Sequence, residues 1–95
     1  ENRNVVSTIE SNIITSVYPN PFSNSLNLKI ESPEQTVVMV DLINILGEKV
    51  YTINMSLKKG TNDDLIELSM LPGGMYFLVI SKDGVILDSH KIIKN

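Results

Sequence analysis

Apolar and polar residues alternate along this chain in short runs, the period of half-buried β-strands, and no segment sustains the wider spacing of an amphipathic helix. In residues 25–31, Leu26, Leu28 and Ile30 share one face, while Asn27, Lys29 and Glu31 share the other. Ser32-Pro33-Glu34 ends that strand. Residues 36–44 repeat the pattern, with Val38, Val40 and Leu42 opposite Met39 and Asp41. A returning strand is predicted over about residues 49–56, a loop over 58–62 and a shorter strand over 65–69. Residues 75–80 are apolar on both faces, as a strand in the middle of a sheet should be.

Turn residues occupy the gaps. Asn44 opens Asn44-Ile45-Leu46-Gly47, and Gly47 supplies the positive φ that closes a bulged hairpin. Leu71-Pro72-Gly73-Gly74 breaks the chain before the 75–80 run. Asp83-Gly84 is the strongest hairpin signal, joining residues 75–81 to 85–94. A two-residue loop sets Lys82 opposite Val85, whereas a three-residue loop slips the register and exchanges the faces; both remain open. The sum is an all-β chain of about six to seven strands, an antiparallel β-sandwich. Residues 1–16 are polar, with apolar pairs at Val5-Val6 and Ile13-Ile14 but no period. They read as a linker with room for one short strand, ahead of a sandwich domain over 17–95.

The boundary carries Tyr18-Pro19-Asn20-Pro21-Phe22. Each proline fixes its own φ and pushes the preceding residue toward extended backbone, so the expectation is a stiff strut with Phe22 plugging one end of the core. An exposed proline-rich strut is also a preformed docking element.

At 95 residues the chain makes one domain, hiding roughly two thirds of its unfolded surface. Hydrophobic residues are 42% but aromatics only 5%, so the core must be aliphatic, which suits pleated sheets. The net charge of −3 and scattered basic residues give no footprint for nucleic acid. No apolar run approaches the ~18 residues of a membrane span, so no direct membrane insertion is expected. Having no cysteine excludes disulfides, thiolate metal sites and a cysteine nucleophile. Starting at Glu1 fits a piece of a longer protein.

Candidate chemistry is sparse, and neither a catalytic residue nor a cofactor is expected. His90 is the one histidine, and an exposed strand position explains it better than a general base. No serine has nucleophile-elbow spacing. Asp63, Asp64 and Glu67 offer too few oxygens for calcium, so no metal is expected. Gly73-Gly74 lacks phosphate-loop spacing and instead precedes Tyr76 as in a tyrosine corner, where the hydroxyl bonds back to upstream main chain. The basic end, His90-Lys91-Ile92-Ile93-Lys94, alternates poorly and reads as a frayed last strand or as an open edge for strand addition. Removing residues 91–95 is accordingly expected to leave the domain largely folded.

The order of these features resembles the C-terminal sorting domain, type A, of the type IX (Por) secretion system of Bacteroidota. The resemblance runs from about Val17 to Lys94. It rests on Tyr18-Pro19-Asn20-Pro21-Phe22, on Leu26-x-Leu28-x-Ile30, and on Val40-x-Leu42-x-Asn44-x-x-Gly47-x-x-Val50. It continues through Leu71-x-x-Gly74-x-Tyr76-x-Leu78-x-Ile80 and closes on the Lys-and-Ile tail. Asn44 stands where the family more often has Asp. The resemblance implies an immunoglobulin-like sandwich that serves as a non-enzymatic address tag, crossing the periplasm to the cell surface or medium. It further implies that the secretion machinery reads it, and that a sortase-like cysteine protease removes it while the cargo is joined to lipopolysaccharide. Direct recognition is expected at Tyr18, Pro19, Asn20, Pro21, Phe22, Lys91, Ile92, Ile93 and Lys94, and a structural role at Asn44, Gly47, Gly74 and Tyr76. The alternative, a sandwich that binds carbohydrate or protein in adhesion, is disfavoured because the chain has no tryptophan and only three tyrosines to stack on sugars.

Overall fold

Residues 13–95 are described in a computed structural model. Seven strands appear in chain order: β1 (Ile14–Tyr18), β2 (Ser25–Ser32), β3 (Thr36–Asn44), β4 (Lys49–Leu57), β5 (Gly60–Glu67), β6 (Gly74–Lys82) and β7 (Val85–Lys94). They form a three-stranded sheet, β1-β2-β5, and a four-stranded sheet, β4-β3-β6-β7, with every pair antiparallel. The links from β2 to β3, from β4 to β5 and from β5 to β6 each pass between sheets. The result is an immunoglobulin-like sandwich.

The alternating pattern explains the two layers. Leu26, Leu28 and Ile30 of β2 face Val38, Val40 and Leu42 of β3 and Tyr76, Leu78 and Ile80 of β6, all buried. Met55 and Leu57 of β4, Ile66 of β5, Leu68 just after it and Ile92 of β7 complete this core, and Phe22 closes one end. β6 lies between β3 and β7, as expected of a central strand, but only the face of Tyr76, Leu78 and Ile80 is buried; Met75 and Phe77 are exposed on the other.

Two expectations require correction or completion. The loop predicted over 58–62 is shorter than expected, because β5 begins at Gly60. Its polar start hides the strand, yet the whole of β5 pairs along β2, from Gly60 opposite Ser32 to Glu67 opposite Ser25. Asn62 makes the early start workable: its Oδ1 accepts from Lys58 N at 3.0 Å, and its Nδ2 donates to the carbonyls of Lys58, Gly60 and Ile30. The turn's main chain is thereby satisfied by a single side chain.

The last hairpin has the two-residue loop, with Asp83 at φ 51° and Gly84 at φ 82°, so Lys82 stands opposite Val85. A bulge then interrupts the ladder: Ser81 pairs with Ile86, but Ile80 pairs with Asp88. The extra residue, Leu87, exchanges the faces of everything beyond it. It puts Ile92 opposite Tyr76 and into the core; an unbroken ladder would have put Lys91 there.

Tyr76 stands at the start of β6 and its hydroxyl donates to the Pro72 carbonyl at 2.5 Å, pinning the Leu71–Gly74 corner to the core. Tyr76→Phe keeps the ring and removes only that bond. The expected loss is about 1 kcal/mol of stability in chemical denaturation; an unchanged unfolding midpoint would show that the corner bond contributes nothing.

Candidate functional site: one pole of the sandwich

The segment after β1 departs from the extended strut that its prolines predict. Pro19, Asn20 and Pro21 lie in bends, and both the Tyr18–Pro19 and Asn20–Pro21 peptide bonds are cis. The reason for the curl is positional: the chain must leave the edge of the three-stranded sheet and still reach β7 at the edge of the other. It gets there at Phe22, whose N–H donates to the Ile93 carbonyl at 2.9 Å and whose carbonyl accepts from Asn95 N–H at 2.8 Å. Phe22 thus forms a parallel bridge with Lys94 while its ring is buried.

Asn20 extends the contact by one more pair. Its Nδ2 donates to the Lys91 carbonyl at 3.0 Å, and its Oδ1 accepts from the Ile93 N–H at 3.0 Å. A carboxamide offers one donor and one acceptor side by side, so Asn20 imitates the main chain of a neighbouring strand. Aspartate could not, because it has no N–H for the carbonyl. Farther along the same edge, Ser89 N–H is bonded to Asp88 Oδ1 at 2.9 Å.

The terminal strand is therefore neither frayed nor open for strand addition over its last residues, contrary to the sequence expectation. Ile92 is fully buried, so removing residues 91–95 would take out a core side chain together with the partners of Asn20 and Phe22. Gly73 also rests against this end. A Cβ there would come within 3.2 Å of the Asn95 carbonyl carbon and 3.4 Å of the Lys94 oxygen.

The remaining motif residues gather at the same pole. Gly74 pairs with Lys94, and Tyr76 pairs with both Asn44 and Ile92. Asn44 organises the β3–β4 turn: its Oδ1 accepts from Leu46 N and Glu48 N at 2.9 and 3.0 Å, and its Nδ2 donates to Glu48 Oε1 at 2.8 Å. Gly47, at φ 86°, donates its N–H to the Asn44 carbonyl. Asparagine is thus suited here beside Glu48, where a second carboxylate would repel. Exposed around the pole are Tyr18, Pro19, Pro21, Lys91 and Ile93, with Met75 opposite Ile93 on the same sheet face.

The profile of the secretion-system C-terminal sorting domain family matches residues 16–95. The chain belongs to this family. Comparison with curated proteins gives no match. Family membership makes the domain a C-terminal sorting signal of type IX secretion, one that interacts with that machinery and is exported to the cell surface or the extracellular space.

The other candidate residues of this sorting domain do not form a reactive site. His90 is not the exposed strand residue expected, since it faces the margin of the sandwich with its side chain 25% exposed. Its Nε2 lies 2.6 Å from Thr15 Oγ1 and 3.4 Å from Asp88 Oδ2, and Thr15 also donates to Asp88. Hydroxyl and carboxylate meet the same ring nitrogen, whereas a catalytic triad places the acid on the other one. The trio closes the seam between β1 and β7. Asp63 and Asp64 are neighbours on β5 and so point to opposite faces, and among the described residues no group of three acids, histidines or cysteines is placed to hold a metal.

Asn20→Ala should cost about 1–2 kcal/mol, because two main-chain groups of β7 lose their partner. The Ile93 amide, protected in the native chain by Asn20 Oδ1, should exchange with solvent faster in the variant, while the Leu28 amide in mid-sheet should keep its rate. Equal Ile93 rates in the two proteins would refute the staple.

Proposed function

We propose that the pole formed by Tyr18, Pro19, Asn20, Pro21 and Phe22 together with Lys91, Ile92, Ile93 and Lys94 is the surface that the type IX machinery reads. Within it, Phe22 and Ile92 act from the core, and Tyr18, Lys91 and Ile93 offer the exposed side chains. The observation that carries this reading is the hydrogen-bonded union of the two segments, which lie at opposite ends of the family match. A tag read by a protein machine needs a stable body and one defined surface. An aliphatic sandwich with a stapled pole supplies both without a reactive group.

In the same reading, the linker to an upstream cargo, expected over residues 1–16, ends before Ile14, because residues 14–16 are the start of β1, and it carries the point at which the tag is removed; residues 1–12 lie outside the described part of the chain. The domain passes through the periplasm, a sortase-like cysteine protease cleaves the linker at the surface, and the cargo is joined to lipopolysaccharide. Asn44, Gly47, Gly74 and Tyr76 hold the pole in shape and make no contact with the machinery.

The test is a fusion of residues 1–95 to a periplasmically exported fluorescent protein in a bacterium with a functional type IX translocon. Surface or extracellular fluorescence that disappears with the translocon is expected. The double variant Lys91→Glu/Ile93→Asp changes side chains of the exposed face and should lose most of that export while the domain still folds, as a cooperative melting transition would show. Full export of this variant would move recognition away from the pole; translocon-independent retention of the folded wild-type fusion would favour an adhesion role.

A further inference from the structure

The outer faces of the two sheets differ in kind. A face of an antiparallel sheet that is left to water should be polar. That of β1-β2-β5 is largely so, with Ser16, Asn27, Lys29, Glu31, Asp63 and Glu67 set among its few apolar residues. The outer face of β4-β3-β6-β7 is apolar along its two central strands instead. Ile43 of β3 and Met75, Phe77 and Val79 of β6 lie on it, and Phe77 remains 39% exposed. Among the described residues, nothing packs over this strip, and a contiguous apolar strip on a surface marks a contact site.

Register joins the strip to the pole. Met75 stands opposite Ile93 and Phe77 opposite Lys91, so the two exposed β7 side chains of the pole belong to the same face. The bulge that leaves Val50 without a partner sets Lys49 opposite Ile43. One row therefore crosses the sheet as Lys49, Ile43, Phe77 and Lys91, two apolar residues with a cation at either edge. The one carboxylate on the outer face of these strands, that of Asp41, is already engaged. Asp41 is 5% exposed, accepts from Thr52 Oγ1 at 2.6 Å and lies 3.7 Å from Lys49 Nζ.

We infer that a component of the type IX machinery docks on this face, from Ile93 across Met75, Phe77 and Ile43 to Val79, through an apolar patch bordered by carboxylates. The inference rests on the reading of the pole as the recognised surface and extends that surface to side chains outside the two terminal segments. Two observations choose the occupant. The first is continuity, since Lys91 and Ile93 belong to both surfaces, and an apolar centre inside a polar rim is how protein–protein contacts are built. The second is charge. The rim is cationic although the chain carries a net −3, so carboxylates about 14 Å apart, the width of three strand spacings, complement it. A second copy seated face to face would bring lysines toward a face with no free carboxylate, and like charges across an interface are costly. Phe77 is the anchor, because an aromatic side chain at the centre of such a patch carries a large share of the binding energy.

The exported fusion tests this with substitutions outside the pole. Phe77→Thr suits an exposed strand position and should lower translocon-dependent export about tenfold, while Leu65→Thr, on the outer face of the other sheet, should leave it unchanged. Lys91→Arg should export like the wild type and Lys91→Glu several-fold less. A photo-crosslinking residue at position 43 should capture the same translocon component as one at position 93. Wild-type export of Phe77→Thr, with Lys91→Glu/Ile93→Asp impaired, overturns the docking strip and leaves the pole reading standing; wild-type export of both removes both. Undiminished export of Lys91→Glu overturns the carboxylate border. If Phe77→Thr shows no cooperative melting transition, position 43 decides alone: capture of a second fusion molecule, or of no translocon component, overturns the inference.

Discussion

The outer main-chain edge of β7 is the constraint on which this end of the molecule depends. Lys91, Ile93 and Asn95 present N–H and carbonyl groups away from the sheet. Main-chain groups on a strand edge bond to protein or to water, and here the partners come from Asn20 and Phe22, more than seventy residues earlier in the chain. The two segments are therefore a single structural unit.

That unit is held to the body by two buried side chains acting from opposite sides. Phe22 enters from the opening loop and Ile92 from the last strand, and both are in the same core cluster. Ile92 reaches it only because the bulge at Ile80 and Ser81 turns the distal half of β7 over. The same turn points Lys91 and Ile93 outward, where a partner can meet them. Buried and exposed side chains are thus apportioned by alternation along a single strand, the same rule that builds the sandwich.

Much of the fold was readable from residue pattern because β2, β3 and β6 alternate cleanly, and Asp83-Gly84 has the chemistry of a two-residue hairpin turn. β5 was read short because Thr61, Asn62, Asp63 and Asp64 are polar on both faces, and their strand conformation comes from pairing with β2. The bulge has no local signature, since Val85, Ile86 and Leu87 are all apolar and give no preference for one face. Tyr18-Pro19-Asn20-Pro21-Phe22 stood out in the sequence, but proline's local preference for extension did not describe the segment's path, which long-range bonds to β7 determine. Asparagine between two prolines, a side chain able to copy a strand, was the one available hint of that staple.

The most direct measurement places a photo-crosslinking residue at one position at a time in an exported fusion and identifies what each captures during secretion. Positions 19 and 93 lie on the stapled pole, and position 83 lies at the hairpin of the opposite pole. If the pole is what the machinery reads, positions 19 and 93 should capture the same component of the translocon and position 83 should capture none. Capture from position 83, with none from 19 or 93, would contradict the account.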